Sequence, residues 1–308
     1  MKKVLVTGAS GWIGSYALPL LIEHGYEVHA VANRTVPTAV LGVHSHRADL
    51  LDESAMMELL ERVRPTHLLH LAWYTDPGRY QTSERNYVWC RAGIDLLCAF
   101  AKLGGRRAVF AGTCFEYDHS AGVCSETKTQ CIPTTPYGAC KLALSEIVTH
   151  PPDGLSTAWG RIFYLYGPGE HPSRLVASVI GSLLRNRPAR CTHGRQLRDF
   201  LHVADVALAF ALILDGHVEG IVNIGSGEEI TIRSLVEIIA DAVGVPHSMV
   251  QFGALSVAPG DSPRVVADVR RLREEVDFRP RLQISEGMAE TIEWWRSRML
   301  VGSELISC

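Results

Sequence analysis

Residues 3–14 read KVLVTGASGWIG, an apolar run that leads directly into three glycines. The run predicts a strand, and the residues after it predict a helix that begins near Trp12. Glycines in a strand-turn-helix permit a tight turn and close approach of a pyrophosphate, while the helix N-terminus offers free N–H groups to an anion. The spacing G-x-x-G-x-x-G differs from the simplest fingerprint, but its place in the chain favours dinucleotide binding over an ordinary glycine-rich turn. The residues assigned to this site are Gly8, Ser10, Gly11, Trp12, Ile13 and Gly14.

Short apolar runs alternate with helical stretches through the first half of the chain, a pattern typical of βαβ units. Strands are predicted at 4–6, 27–31, 67–71, 107–111 and 157–161, with helices at 12–24, 54–64, 87–103 and from 136. Beyond residue 169 this rhythm weakens. We therefore expect an α/β fold with a doubly wound parallel sheet over residues 1–165, rejoined by 200–224. A smaller α+β lobe is expected over 166–199 and 225–308. Ligands of such sheets bind at the carboxyl ends of the strands.

Composition excludes several functions. The 308 residues carry a net charge of −3, which provides no diffuse basic field for nucleic acid or an anionic membrane. No apolar run approaches the roughly 20 residues of a membrane span, and the N-terminus has no signal-peptide pattern. These features predict a cytoplasmic protein that binds neither nucleic acid nor membrane.

The eight cysteines are spread widely and include no C-x-x-C pair, so we expect reduced thiols and no disulfide framework. His44-Ser45-His46 and Cys191-Thr192-His193 have ligand chemistry, but neither has a second cluster at zinc-site spacing. The sequence thus predicts no metal site, and these residues are interpreted as loop or surface residues.

The end of the second predicted strand reads VANRT and contains no acidic residue for the ribose hydroxyls of NAD. The guanidinium of Arg34, supported by Asn33, can pair with a 2′-phosphate, which favours NADP(H) over NAD(H). A solvated arginine in a turn is the alternative. Asp49, with Leu50 beside it, is a candidate acceptor for the adenine amino group, and a helix-capping aspartate is the alternative.

Tyr137 and Lys141 lie four residues apart near the start of a predicted helix, and so share one helical face. The ammonium is expected to favour the phenolate and to lower the tyrosine pKa from its usual value of about 10. Thr113, at the end of the preceding strand, offers a hydroxyl for the same substrate oxygen. A surface pair is the alternative interpretation of this Y-x-x-x-K motif.

These motifs together resemble the extended short-chain dehydrogenase/reductases, the family of nucleotide-sugar epimerases, dehydratases and reductases. The resemblance covers nearly the whole chain and implies a Rossmann domain with a C-terminal substrate lobe that holds a nucleotide diphosphate. The matching segments are Gly8-x-x-Gly11-x-x-Gly14, His70-Leu71-Ala72, Thr113 with Tyr117, Tyr137-x-x-x-Lys141, Arg161 with Tyr166-Gly167-Pro168, Arg198–Val206 and Asn223–Gly227.

The resemblance implies that Thr113, Tyr137 and Lys141 are catalytic, with Tyr137 as general acid or base and Lys141 also holding the nicotinamide ribose. Besides the glycine-rich turn, the residues implied to bind cofactor are Asn33, Arg34, Asp49, Leu50, Leu71, Ala72, Trp73, Tyr137 and Lys141. The residues implied to bind substrate are Trp73, Tyr74, Thr113, Cys114, Phe115, Tyr164, Arg198 and Arg264. An aromatic wall that also includes Tyr80 has plain packing as its alternative, and Arg198 has an ion pair with Asp199 as its alternative.

Two departures from the family pattern bear on the reaction. The dehydratases have an Asp-Glu pair after the catalytic threonine, whereas Cys114-Phe115 stand here, which disfavours dehydration. Tyr164 replaces the usual asparagine two residues before Tyr166-Gly167-Pro168 and puts the ordinary sugar-diphosphate contact in doubt.

The missing ribose acid favours a net reductase that uses NADPH, in a branch that resembles the reductases of nucleotide-linked 4-keto-6-deoxy sugars. The alternatives are an epimerase that recycles its cofactor internally and a non-catalytic NADP-binding sensor. The resemblance further implies a homodimer built from the helices near 87–103 and 136–149.

Overall fold

The computed structural model describes residues 2–33 and 40–304, with side chains up to Met299. The strands are β1 (Lys3–Thr7), β2 (Glu27–Ala32), β3 (Val43–Arg47), β4 (His67–His70), β5 (Arg107–Thr113), β6 (Val123–Cys124), β7 (Ser156–Ile162), β8 (Tyr164–Tyr166), β9 (Ala189–Cys191), β10 (Leu197–Arg198), β11 (Phe200–His202), β12 (Gly220–Ile224), β13 (Ile230–Thr231), β14 (Val250–Phe252) and β15 (Arg264–Ala267). The helices are α1 (Trp12–Glu23), α2 (Glu53–Val63), α3 (Arg85–Lys102), α4 (Pro136–Val148), α5 (Leu175–Leu184), α6 (Val203–Asp215), α7 (Ile232–Val243), α8 (Arg270–Glu274) and α9 (Ile284–Glu304).

Seven parallel strands of the described residues form one sheet in the order β12-β7-β5-β4-β1-β2-β3. Its central strands are buried along nearly their whole length because helices cover both faces. One face packs against α1 and α6, and the other packs against α2, α3 and α4. The predicted doubly wound parallel sheet is confirmed, and its strand ends at the carboxyl edge bring the candidate site residues together.

The second half of the chain builds a smaller layer beside this sheet. Helices α5, α7 and α9 enclose a separate apolar cluster with β9 and β14. A four-stranded sheet of order β13-β10-β15-β6 joins this half to the first, because β6 comes from the segment before α4. Strand β12 pairs with β7 and so extends the main sheet, and α6 packs against α1.

Strand β3 is not among the predicted strands. Its sequence, VHSHR, alternates half-buried and exposed residues and contains no apolar run, since it lies at the edge of the sheet. The predicted helices and the other first-half strands occur within a few residues of their expected ends. Within the described residues, no helix is both long and apolar enough to cross a membrane.

Candidate active site

The glycine-rich turn between β1 and α1 has the close contacts that require glycine. Gly8 has a φ of +67°, and a Cβ there would lie 2.7 Å from the backbone nitrogen of Ala72. A Cβ on Gly14 would collide with the carbonyl oxygen of Gly8. Helix α1 begins after Gly11 without a side-chain cap, so the first N–H groups of the helix have no capping side chain. This geometry fits a pyrophosphate at the helix N-terminus.

An open depression adjoins this helix end. Trp12 and Tyr16 both donate hydrogen bonds to the carbonyl oxygen of Pro168, at 2.7 Å and 3.2 Å, which holds the 167–169 loop against α1. Ser10 is exposed, whereas Ile13 packs against the apolar core. The depression therefore lies between the glycine-rich turn and the second half of the chain, and is lined by Ser10, Gly11, Trp12, Ser15, Tyr16, Pro168, Gly169 and Trp294.

At the carboxyl ends of β2 and β3, Asn33 is exposed and accepts a hydrogen bond from Nε of Arg47 through its backbone carbonyl, at 3.1 Å. Arg47 was not predicted for this site, because it is adjacent only in the folded sheet. Arg34 lies outside the described residues. The described end of β2 thus has a guanidinium beside it and no carboxylate in its own sequence.

Asp49 closes a turn through its Oδ1 atom, which accepts a hydrogen bond from the N–H of Leu51 at 3.0 Å. The cap of helix α2 is instead Asp52, which accepts from the N–H groups of Ser54 and Ala55. The alternative of Asp49 as a helix cap is therefore wrong. Leu50 is buried in the cluster under α2.

Three candidate catalytic side chains meet where β5 ends and α4 begins. Thr135 caps α4 by accepting from the N–H of Gly138, so Tyr137 lies in the first turn of the helix and Lys141 one turn later. The hydroxyl of Tyr137 faces the side chain of Thr113, the last residue of β5. All three residues are buried, which makes their hydrogen bonds and charges stronger than on a surface.

Burial raises the pKa of Tyr137, and the neighbouring Tyr80 adds to the rise, while the adjacent side chain of Thr113 opposes it. The expected lowering of this pKa by Lys141 is wrong for the geometry observed. The ammonium of Lys141 donates instead to the carbonyl oxygen of Ala111 at 2.7 Å and lies 3.8 Å from the centre of the Trp73 ring. Tyr137 is therefore protonated at neutral pH and suited to act as an acid.

Burial also lowers the pKa of Lys141 to about 7, against the opposing charge of Glu116. The ammonium has the indole face of Trp73 and a carbonyl oxygen as neighbours, and these compensate a buried charge less fully than a carboxylate pair does. Lys141 thus changes its charge close to neutral pH.

Aromatic rings enclose Tyr137. The centre of its ring lies 4.9 Å from that of Tyr80, 6.3 Å from that of Phe115 and 6.5 Å from that of Trp73. The indole N–H of Trp73 donates to Asn86 at 2.8 Å, so its polar end is already bonded and its face is free for packing. Tyr74 donates its hydroxyl to Asp76 at 3.2 Å and is not among these neighbours.

The predicted diphosphate ligand Arg198 is buried and binds Asp261. Its guanidinium also lies 5.4 Å from the ring centre of Tyr164. Its positive charge opposes the rise in the pKa of the Cys114 thiol. The alternative ion pair with Asp199 is wrong. That carboxylate is fully buried and accepts from the backbone N–H groups of Ser226, Gly227 and Ala267.

Arg264 occupies the strand beside Arg198, since Leu197 of β10 pairs with Arg264 of β15. Its side chain is 44% exposed and forms an ion pair with Glu229 at 2.7 Å. Arg198 and Arg264 thus lie on adjacent, paired strands. Each already has a carboxylate partner that an incoming anion would have to replace.

Glu116 is a buried site residue that was not predicted. Its Oε1 accepts from the N–H of Thr113 at 2.8 Å, and its Oε2 accepts from Nε of Arg161 at 2.6 Å. Trp159 donates its indole N–H to the same carboxylate. A threonine followed three residues later by glutamate is the capping-box pattern, which was the available sequence signal. Glu116 fixes the backbone that presents Thr113.

Residues 4–225 match the model of the NAD dependent epimerase/dehydratase family. The chain belongs to this family. The predicted relationship to the extended short-chain dehydrogenase/reductases is thereby confirmed, together with an enzymatic rather than purely structural class.

Relatives in this family have several activities. A dTDP-glucose 4,6-dehydratase of Streptomyces antibioticus is 31% identical over 95% of this chain and 92% of its own length. A GDP-6-deoxy-D-mannose reductase of Pseudomonas aeruginosa is 27% identical over 97% of this chain and 98% of its own length. Family membership therefore shows a nucleotide-sugar enzyme class without selecting one reaction.

Solved structures agree with this assignment. The structure of MoeE5 in complex with UDP-glucose and NAD has a TM-score of 0.83 and 31% identity, covering 96% of this chain and 99% of that one. The UDP-glucose 4-epimerase of Thermus thermophilus in complex with NAD has a TM-score of 0.82 and 29% identity, with the same coverage. Both of these solved structures contain NAD.

Proposed function

We propose that the protein is an NADPH-dependent reductase of a nucleotide-linked keto-deoxysugar, with the C4 ketone as the reacting group. The observation that carries this proposal is which side chains near Thr113 can donate a proton. Tyr137 is held protonated beside it, while the two residues that follow Thr113 are a cysteine and a phenylalanine. A ketone reduction needs one proton donor, and Tyr137 meets that need.

Loss of water from a sugar requires an additional acid and base, and the neighbouring side chains do not support this role. Burial raises the pKa of the Cys114 thiol, so it stays uncharged at neutral pH. Phe115 has no transferable proton. Glu116 accepts hydrogen bonds from Arg161, Trp159 and the backbone N–H of Thr113. Its carboxylate therefore stabilises the fold and is not available as an acid or base. This argument favours reduction over dehydration.

The residues of the glycine-rich turn would hold the cofactor pyrophosphate, and Leu71 and Ala72 would border the cofactor. The bound nicotinamide supplies the hydride. Tyr137 donates its phenolic proton to the ketone oxygen, and Thr113 hydrogen-bonds that oxygen so that the proton has a short path. Solvent then restores the proton to the phenolate. Lys141, one helical turn away, would hold the nicotinamide ribose.

The preference for NADP(H) rests on the end of β2. An aspartate or glutamate there binds the ribose hydroxyls of NAD, whereas this chain has Asn33 with the guanidinium of Arg47 beside it. Arg34 follows directly in the sequence. A guanidinium at this position favours a 2′-phosphate, which arginine binds through paired hydrogen bonds.

The decisive experiment incubates the purified protein with NADPH or NADH and a panel of nucleotide-linked 4-keto-6-deoxy sugars, while nicotinamide absorbance and product structure are followed. We expect one NADPH oxidised for each 4-hydroxy product formed. Isomerised nucleotide hexose without net NADPH consumption would establish the epimerase instead. Binding of NADPH without turnover of any nucleotide sugar would favour the sensor.

The cofactor preference has its own test. Arg47→Ser should raise the KM for NADPH about tenfold and leave the KM for NADH unchanged, because only NADPH carries the additional phosphate. Arg233→Ser, at a 47% exposed arginine on α7, is the matched control and should change neither constant. Equal effects of Arg47→Ser on both cofactors would contradict a 2′-phosphate contact.

We also propose a homodimer formed through α3 and α4. These helices pack against each other and leave Tyr87, Val88 and Ile147 exposed by 58%, 50% and 38%. Val88→Glu should convert the dimer to a monomer, measured by light scattering after size-exclusion chromatography. A wild-type monomer at micromolar concentration would overturn the proposal.

A cytoplasmic location is part of the same proposal. The described cysteines at positions 90, 98, 114, 124, 131, 140 and 191 are all free thiols, which suits a reducing compartment. Fractionation of the native host, with the protein detected by antibody, tests this location.

A further inference from the structure

Three histidines and a glutamate lie together at the edge of the main sheet, away from the residues assigned to catalysis. Glu27 and His29 belong to β2, and His44 and His46 belong to β3. His29 pairs directly with His44 in the parallel register, and positions two apart in a strand share one face. The fold therefore supplies the second cluster that the sequence around His44 lacks.

The side chains of this histidine cluster (Glu27, His29, His44 and His46) are in mutual contact. His29 is at its centre, with Nδ1 at 2.8 Å from Nε2 of His46 and Nε2 at 2.9 Å from Oε1 of Glu27. The His44 ring stacks on His29 at 4.9 Å between ring centres. One ligand atom from each of Glu27, His29 and His44 lies within 4.8 Å of the others.

Two cationic side chains lie near the histidine cluster. Nζ of Lys3 lies 3.4 Å from the carboxylate of Glu27, and the charge of Arg62 on α2 acts on His46. His29 is buried, whereas His44 is exposed. Metal ions bind the neutral form of imidazole.

We propose that Glu27, His29 and His44 bind one divalent transition-metal ion of the class that prefers imidazole and carboxylate ligands, such as Zn²⁺. The ion would take the place between His29 Nε2 and Glu27 Oε1 that a hydrogen bond now occupies. His44 is exposed, so a water molecule has access to the remaining coordination position.

His46 is assigned a positioning role. With Nε2 of His29 on the metal, the ring proton of His29 resides on Nδ1 and is donated to Nε2 of His46, which already lies 2.8 Å away. Metal-bound histidines usually donate their other ring N–H in this way, which fixes the orientation of the ring.

The expected consequence is structural. Strand β3 is the edge strand of the main sheet, and its side chains are mostly exposed or half-buried, so few apolar contacts hold it. A metal ion between β2 and β3 would join this strand to its neighbour by direct bonds. Binding to the folded state alone raises the melting temperature.

The test uses full-length protein without a histidine tag, treated with a chelator and then titrated with Zn²⁺ by calorimetry. Co²⁺ replaces Zn²⁺ in a parallel titration as a spectroscopic probe. We expect one ion per chain, visible Co²⁺ absorption bands of a low-coordinate site and a higher Tm. His44→Ala should weaken binding at least about 100-fold, and His46→Ala should weaken it about 10–100-fold.

His247→Ala is the matched control, because His247 is a 51% exposed histidine bonded to a carboxylate elsewhere in the chain. It should leave both the stoichiometry and the affinity unchanged. Circular dichroism of His44→Ala checks that the exposed substitution preserves the fold. The proposal is overturned if wild type binds no Zn²⁺. It is also overturned if His44→Ala binds Zn²⁺ as tightly as wild type and the His247→Ala control do.

Discussion

Two groups of buried polar side chains lie side by side at the end of β5, and they differ in how their charges are satisfied. In the structural pair, Glu116 and Arg161 are 0% and 1% exposed and are joined at 2.6 Å. Trp159 and the N–H of Thr113 complete the bonds to the carboxylate. The carboxylate is fully bonded, whereas Nη1 and Nη2 of Arg161 have no hydrogen-bond partner among the described residues and the guanidinium lies against the ring of Tyr117. The direct ion pair is therefore the main compensation for burying the two charges.

The proposed catalytic group, which consists of Thr113, Tyr137 and Lys141, lacks such a counter-charge. Burial raises the pKa of Tyr137 and lowers that of Lys141 to about 7, so both shifts favour the neutral side chain. A desolvated group without a full counter-charge can exchange a proton with a ligand, whereas a paired group is held in one state. Pairing, more than burial, therefore separates the structural pair from the proposed catalytic group.

The largest expected effect is on turnover by the catalytic group. Tyr137→Phe should lower kcat about 10²–10⁴-fold, because the ketone oxygen loses its proton donor. Cofactor affinity and Tm should remain close to wild type. Steady-state kinetics with NADPH and the keto sugar measure the first, and fluorescence titration and thermal unfolding measure the others.

Tyr117→Phe is the matched control for that substitution. Tyr117 is also buried, but its hydroxyl donates to Asn223 at 2.8 Å within the structural part of the molecule. This variant should lose about 1 kcal/mol of stability and keep its kcat. Retained turnover in Tyr137→Phe would remove Tyr137 from the catalytic group.

The next effect is on stability and concerns the structural pair. Glu116→Gln should lower the free energy of unfolding by about 3–5 kcal/mol, because Arg161 would then be a buried charge without its counter-charge. Urea denaturation measures this loss. The double variant Glu116→Gln with Arg161→Met should recover part of it. A loss below about 1 kcal/mol would show that the ion pair of Glu116 and Arg161 contributes little to stability.

Sequence predicted those features that short spacings determine. The turn through Gly8, Gly11 and Gly14 and the pair Tyr137 and Lys141 each lie within one strand-turn-helix or one helical turn, so local spacing sets their relative positions. The alternating pattern likewise predicted the parallel sheet, since each buried strand is a short apolar run.

Features that depend on distant residues were missed for a physical reason. Glu116 meets Arg161 across 45 positions, and Arg47 reaches Asn33 only because β2 and β3 are neighbours. The direction of the Tyr137 pKa shift follows from desolvation by the whole surrounding structure, and no i, i+4 spacing encodes that burial. Edge strand β3 lacks the apolar run by which buried strands are recognised.

A third, smaller effect is the pH dependence of stability that arises from Lys141. The Lys141 pKa is lowered from 10.5 to about 7, so between these values the unfolded chain binds a proton that the folded chain has released. Stability conferred through this group therefore rises with pH across that window and is constant below it. The difference in unfolding free energy between wild type and Lys141→Met should change by about a few kcal/mol from pH 7 to 10.

Subtracting the two unfolding curves cancels the titration of the tyrosines and cysteines that both proteins share. Lys141→Arg serves as the control, since a guanidinium stays protonated across this range and should show no such window. A difference that is flat with pH would place the lysine pKa near its normal value, and Lys141 would then resemble the structural pair.

The smallest effects are expected at Thr113, which belongs to both groups. Its backbone N–H donates to Glu116 at 2.8 Å, whereas its hydroxyl faces Tyr137 and accepts from the N–H of Phe115 at 3.3 Å. Thr113→Val removes the hydroxyl alone and should lower kcat about tenfold and stability by about 1 kcal/mol. Thr113→Ser keeps the hydroxyl and should stay within about twofold of wild-type kcat. If Thr113→Val lost stability like Glu116→Gln while keeping its kcat, the hydroxyl would belong to the structural pair, and the boundary between the two groups would lie at Tyr137.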